Sequence, residues 1–269
     1  MNIRTKLLIL AGIAMLSSNG FADRLEKREF KIEATNSNKD RDNKKQEKNE
    51  KIKPIKKLKY NPPFRGAPAT ARLVGMALRS LVPIDNDLLL SVLTPTHTGI
   101  TTQAQPVMYW YVSKPISKPF QFIEFVLNSE QSIAPVLRTH LPSVTKSGIQ
   151  KLQLSDYDIN LQADIEYTWS IALVPDPDSR SHDFVTSGKI KYIKPKDELQ
   201  RRVRESSTAQ HAYIFSKAGF WYDAIASIIQ QTEEYPEDRL YSDNLISLMD
   251  QAELQQITMN MKGTVAKRD

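Results

Sequence analysis

Between Leu88 and Ile193 the chain repeats one unit: a short apolar or alternating run closed by a turn signal, with no helical periodicity in between. The clearest case sets Ile165, Tyr167, Trp169, Ile171 and Leu173 against Glu166, Thr168, Ser170 and Ala172. Leu88 to Leu93, Pro106 to Ser113, Phe120 to Asn128, Gly148 to Leu154 and Val185 to Ile193 read as further strands. Thr94-Pro95, Lys114-Pro115, Lys118-Pro119, Lys146-Ser147-Gly148 and Asp176-Pro177-Asp178 punctuate them. About six to eight short strands without crossover helices predict an antiparallel β-sandwich of immunoglobulin-like type. The sequence holds no cysteine. The inter-sheet disulfide of antibody domains is therefore impossible, the likeness is one of architecture, and the apolar core must hold the fold alone. A thiol nucleophile and a cysteine zinc site are excluded with it.

Pro195 closes the β part, and helical patterns follow. Lys196 to Thr208 is charged and helical in composition. His211 to Gly219 and Trp221 to Thr232 read as two helices, with Gly219 at a turn that commonly requires a left-handed residue. Leu245, Leu248, Met249 and Ala252 give Leu240 to Leu254 an apolar stripe. This divides the body into a β-sandwich domain at 63–195, a helical module at 196–258 and a polar tail at 259–269. Ala69 to Leu81 reads as irregular or weakly helical.

The first 22 residues combine Arg4 and Lys6, an apolar run from Leu7 to Leu16, and a small-residue exit with Gly20 and Ala22. That is the pattern of a secretory signal peptide, and the run is shorter than the roughly 20 apolar residues a spanning helix needs. The expected location is exported, periplasmic or extracellular. Residues 23–59 carry 14 Lys and Arg against 8 Asp and Glu, whereas residues 60–269 carry 21 against 23. The stretch 23–62 is too poor in apolar residues to offset chain entropy and reads as a disordered basic linker, able to touch an anionic surface. With the surplus charge outside the body, no nucleic-acid-binding face is expected.

Chemistry-bearing residues are few. Tyr109, Trp110 and Tyr111 are adjacent on one strand, so they face opposite sides and cannot share one platform. One parity fills the core; the other either forms an exposed stripe for a sugar or peptide or packs under the helices. Trp221 belongs to the packing of the helical hairpin, and Tyr222 and Asp223 beside it are candidates for reaching the sandwich surface. Asp176, Asp178, His182 and Asp183 lie close enough in sequence to hold a divalent cation. They lack a glycine-centred loop, and the competing reading is a β-turn whose aspartates bond neighbouring backbone N–H groups. His97, His140, His182 and His211 are scattered, and no nucleophile–base–acid set aligns with them. No cofactor is expected.

The helical part resembles one tetratricopeptide-type repeat. Gly219, Trp221, Ala224 and Pro236 match that repeat's turn glycine, following aromatic, small packing residue and closing proline, and Ala212 and Phe215 match the first helix. The chain from about Leu73 to Met249 also resembles a bacterial family of exported proteins catalogued as domain of unknown function 928. The likeness rests on Leu81-Val82-Pro83, Pro106 to Val112, Phe122 to Leu127, Tyr167-Thr168-Trp169-Ser170, Pro175 to Ser181, Val185-x-x-Gly188-x-Ile190, and Ala218-Gly219-x-Trp221-Tyr222-Asp223-Ala224. Lys189 stands where members often carry tryptophan. The resemblance implies export and topology. It supplies no catalytic residue.

These readings converge on an exported, non-enzymatic binding or adaptor protein of the cell envelope. Its partner would be a protein or glycan, bound through the sandwich or the helical module. The alternatives are a hydrolase of envelope polymers, with Asp176, Asp178 and Glu166 as its first candidates, and an assembly accessory that works by adding a strand at a sheet edge.

Overall fold

The computed structural model describes residues 58–63 and 88–265. The expected signal peptide, most of the expected linker and the stretch 69–81 lie outside the described residues.

Among the described residues the β part builds two sheets from eight strands: β1 (Leu90–Val92), β2 (Gly99–Thr101), β3 (Val107–Val112), β4 (Phe122–Ser129), β5 (Leu137–Leu141), β6 (Gly148–Gln153), β7 (Glu166–Val174) and β8 (Phe184–Tyr192). One sheet has the order β1-β3-β6 and the other β2-β8-β7-β4-β5. The hairpin ladder from β4 through β7 to β8 is antiparallel, with Phe125 opposite Ile171 and Trp169 opposite Gly188. The expectation of a wholly antiparallel architecture fails at β2, which runs parallel to β8. β2 is three residues long and is reached from β1 through a short turn, so it joins the second sheet's edge rather than folding back beside β1.

The 2-residue period of β7 explains its seat. Trp169, Ile171 and Leu173 are fully buried, and Tyr167 nearly so. The two sheets meet where the Val92 N–H donates to the Thr186 hydroxyl at 3.2 Å.

Among the described residues five helices follow: α1 (Asp197–Arg204), α2 (Thr208–Ala218), α3 (Trp221–Glu234), α4 (Arg239–Gln251) and α5 (Gln255–Val265). Gly219 ends α2 at φ 88°, and a side chain there would meet the Asn61 carbonyl at 2.8 Å; both facts select glycine. The expected polar tail from residue 259 is corrected. α5 carries Ile257 and Thr258 on a buried face, continuous with Leu254, and Asn260 accepts a hydrogen bond from the Tyr111 hydroxyl at 2.8 Å. Two apolar positions separated by three residues are enough to dock a short helix when a strand side chain supplies a polar anchor.

A second correction concerns the end of the linker. Residues 58–62 do not behave as a disordered tether. Leu58 is 3% and Tyr60 6% exposed, and both belong to the same hydrophobic cluster as the sheets and helices. The Asn61 N–H donates to Ser216 and its side-chain amide to Lys217, so this short segment straps across α2 and α4.

Candidate functional site

The first turn of α3 presents three consecutive side chains, and each docks on a different piece of the β part. Trp221 donates its indole N–H to the Leu93 carbonyl at 2.9 Å. The Tyr222 hydroxyl accepts from the Trp169 indole at 2.8 Å and lies 3.1 Å from the Lys189 carbonyl and 3.2 Å from the Thr94 hydroxyl. Asp223 accepts from the Thr102 N–H at 2.9 Å and from the Thr102 hydroxyl. All three are buried. Burial raises the Asp223 carboxyl above its ordinary range, against the pull of the Thr102 hydrogen bonds, and burial also pushes the Tyr222 phenol up. A carboxylate in a helix's first turn also faces the positive end of the helix dipole, which offsets part of the burial cost.

The aromatic candidates on β3 separate by parity. Tyr109 and Tyr111 lie under the helices: the Tyr111 hydroxyl reaches α5, and burial together with the nearby Glu233 carboxylate pushes the Tyr109 phenol up to about 12. Trp110, on the opposite parity, is 2% exposed. Neither parity of Tyr109, Trp110 and Tyr111 forms an exposed stripe; the tyrosines take the alternative of packing under the helices, and Tyr222 and Asp223 reach the β part. Tyr111, Trp221 and Tyr222 serve the junction between sheets and helices, each bringing a large apolar body with a polar tip that finds an internal partner, whereas the buried Trp110 Nε1 has no hydrogen-bond partner among the described residues.

The acidic candidates form a turn. The Asp178 N–H donates to Asp176 Oδ1 at 3.0 Å, and Ser179 contacts His182 Nδ1 at 3.0 Å. Asp183 turns away from them to Arg180, at 2.6 Å. Among the described residues no three His, Asp or Glu side chains gather as metal ligands. The proposed hydrolytic trio does not meet. Glu166 opens β7 and Asp176 lies just beyond its end, so nine strand residues at ~3.3 Å each separate them by roughly 25–30 Å, against the ~5–9.5 Å that paired carboxylates need. Glu166 is held by Lys189 at 2.6 Å and Thr98 at 2.6 Å.

One polar group was not anticipated. Glu124, in the middle of β4, is 4% exposed and sits between Arg180 at 2.8 Å and Arg138 at 3.4 Å. Burial alone would raise its carboxyl, but the hydrogen bond and charge of Arg180 and the charge of Arg138 outweigh it and hold it below the usual carboxylate range. The signal was a lone charge inside the apolar run Phe122 to Leu127, which calls for an opposite charge beside it. Beside it, the exposed His140 ring stacks on Phe122 with centroids 4.1 Å apart.

The Glu124 group lies on β4, on the paired side of the edge strand β5. Among the described residues β5 pairs with β4 alone and forms one edge of the five-stranded sheet. Ile133, in the turn leading to it, is fully exposed. Among the described residues no helix is long and apolar enough to cross a membrane.

Several of the residues quoted for the family likeness sit at the sheet–helix junction: Trp169, Gly188, Trp221, Tyr222 and Asp223 meet there, while Gly219 packs against Asn61 and Pro63. No curated protein matches the chain. The family model described as Domain of Unknown Function (DUF928) matches residues 74–261, and the chain belongs to that family.

Proposed function

We propose that this chain is an exported bacterial envelope protein of the binding or adaptor class, and that it engages an exported protein partner by strand addition at β5. The finer architecture in this reading is an immunoglobulin-like sandwich carrying a tetratricopeptide-like hairpin, with the hairpin used as a fixed brace. The observation that carries the reading is the open edge of β5, flanked by the exposed Ile133. An unpaired edge offers a row of N–H and C=O groups to an extended segment. The strand holds one formal charge, Arg138, and Glu124 partly neutralises it. By contrast, the aromatic candidates for a ligand platform are buried.

The test is mild cross-linking in the native envelope followed by mass spectrometry, repeated with Thr139→Pro and with His140→Pro. Adjacent residues of an edge strand direct their N–H groups to opposite sides, so one of the two positions faces the open edge. The expected result is one abundant exported partner that is lost in one proline variant and kept in the other. Equal capture by both variants would overturn strand addition. Recovery of no protein would move the reading to a glycan ligand.

A further inference from the structure

The edge strand β5 differs chemically on its two faces. Its exposure alternates, so Arg138 and His140 stand on the solvated face and Leu137, Thr139 and Leu141 on the other. Leu137 and Leu141 are half-buried and pack against the core. What they leave uncovered is apolar surface that a further strand would bury. Ile133, fully exposed, and Val136, 37% exposed, lie in the turn leading into β5 and add apolar surface at its start.

The solvated face is cationic. The Arg138 side chain is 54% exposed, and its Nη1 approaches the two Glu124 oxygens only to 3.4 and 3.5 Å, whereas a charge-assisted hydrogen bond is about 2.7–2.9 Å long. Glu124 has its close partner in Arg180, at 2.8 Å. The Arg138 guanidinium carries a fork of N–H donors and so keeps capacity for a second carboxylate. His140 is exposed on the same face, its ring held by the stack on Phe122. From Gln131 to Ser155 the sequence has no Asp or Glu, but it has Arg138, Lys146 and Lys151. Glu130, just upstream, is turned to β7, where its Oε1 accepts from the Glu166 N–H at 3.1 Å.

A strand added beside β5 places the residues next to Arg138 and His140 on one face, two positions apart, and those next to Leu137, Thr139 and Leu141 on the other. Opposite charges across a ladder stabilise the pairing, and like charges oppose it. We propose that the segment added at β5 alternates acidic and apolar residues, with its carboxylates beside Arg138 and His140 and its apolar side chains over Leu137, Thr139 and Leu141. The inference rests on the strand-addition reading and gives the partner's chemistry within it.

The probes are two short labelled peptides, Ser-Val-Glu-Val-Glu-Val-Ser and Ser-Val-Lys-Val-Lys-Val-Ser, titrated against the full chain at low ionic strength and read by fluorescence anisotropy. The acidic peptide is expected to bind about fivefold tighter than the basic one, and Arg138→Gln to remove most of that difference. Of Thr139→Pro and His140→Pro, one is expected to lose the acidic peptide and the other to keep it. If the native chain binds both peptides equally and one proline variant loses them, the acidic pattern is overturned and strand addition stands. If both proline variants bind as the native chain does, strand addition is overturned and this inference with it. No binding of the acidic peptide by the native chain would also overturn the acidic–apolar pattern. The comparison of the two peptides on the native chain needs no variant, so it decides the charge pattern even where a proline disturbs the fold.

Discussion

The Trp169 indole donates to the Tyr222 hydroxyl at 2.8 Å, and this one bond joins the centre of the five-stranded sheet to the first turn of α3. Tyr222→Phe keeps the ring and removes the acceptor, so it leaves a fully buried indole N–H unpaired. The expected loss is about 1–3 kcal/mol. For a domain of this size that lowers Tm by roughly 2–4 °C per kcal/mol, readable by thermal or urea unfolding.

Because Trp221, Tyr222 and Asp223 all terminate on the β part, sheets and helices should unfold together. A chain ending at Pro195 loses the partners of the Leu93 carbonyl, the Trp169 indole and the Thr102 N–H at once. The expected outcome is a truncated protein without a cooperative transition, against a single coincident transition by fluorescence and far-UV circular dichroism for the native chain. A truncation with native-like stability would contradict the shared core.

Gly188 faces Trp169 across the β7–β8 ladder, and a side-chain carbon on it would collide with the Thr94 methyl. Gly188→Ala is expected to cost about 1–3 kcal/mol as overpacking. Thr94→Ser removes the methyl and retains the hydroxyl near Tyr222, so the double variant should recover part of the loss. A double-mutant cycle in urea, with a coupling of about 0.5–3 kcal/mol for residues in contact, is the measurement.

These contacts show what the sequence could and could not disclose. The long strands and the helices from Thr208 to Gln251 were legible, since alternation and a 3.6-residue stripe each persist over several turns or pleats. β2 and β5 were not. Gly99-Ile100-Thr101 is too short to show a period, and Leu137-Arg138-Thr139-His140-Leu141 looks polar because an edge strand has one solvated face. α5 was hidden by Thr258, Asn260 and Lys262, whose polarity masks the Ile257 and Met261 face. Tyr222 and Asp223 were legible as candidates for the sandwich surface, and they bond there to Trp169 and Thr102; the contact of Trp221 with the Leu93 carbonyl was not legible, because a backbone acceptor leaves no residue-type signal.

Asp223 makes a prediction in pH. Burial raises its folded carboxyl above the ordinary 3.8, so the stability it contributes is fully present below that value and is lost as pH rises through the raised one. Asp223→Asn keeps an acceptor for the Thr102 N–H and offers a donor to the Thr102 hydroxyl, with no charge to bury. The stability difference between native and variant chains should therefore move in the variant's favour as pH rises above about 4, measured by urea unfolding at fixed ionic strength. Asp223→Ala, which strands the Thr102 N–H, should be destabilised at every pH.

Glu124 carries the opposite sign. Arg180 and Arg138 hold its folded carboxyl below the ordinary 4.5, so its contribution is present above that value and disappears as pH falls through the lowered one. Glu124→Gln removes the charge while keeping the shape. The native chain should lose stability more steeply than the variant as pH drops below 4.5, and the two curves should run parallel above about pH 6. Arg180 is the closer of the two cations, so Arg180→Gln should reproduce most of the flattening and Arg138→Gln less of it. Above pH 6 the ordering should be set by what each change leaves behind. Glu124→Gln leaves two half-exposed guanidinium groups that water can serve. Arg180→Gln leaves a nearly buried carboxylate facing only Arg138, and an Asp183 side chain that has lost its Arg180 partner. Arg180→Gln should therefore be the more destabilising change at neutral pH, by about 1–3 kcal/mol.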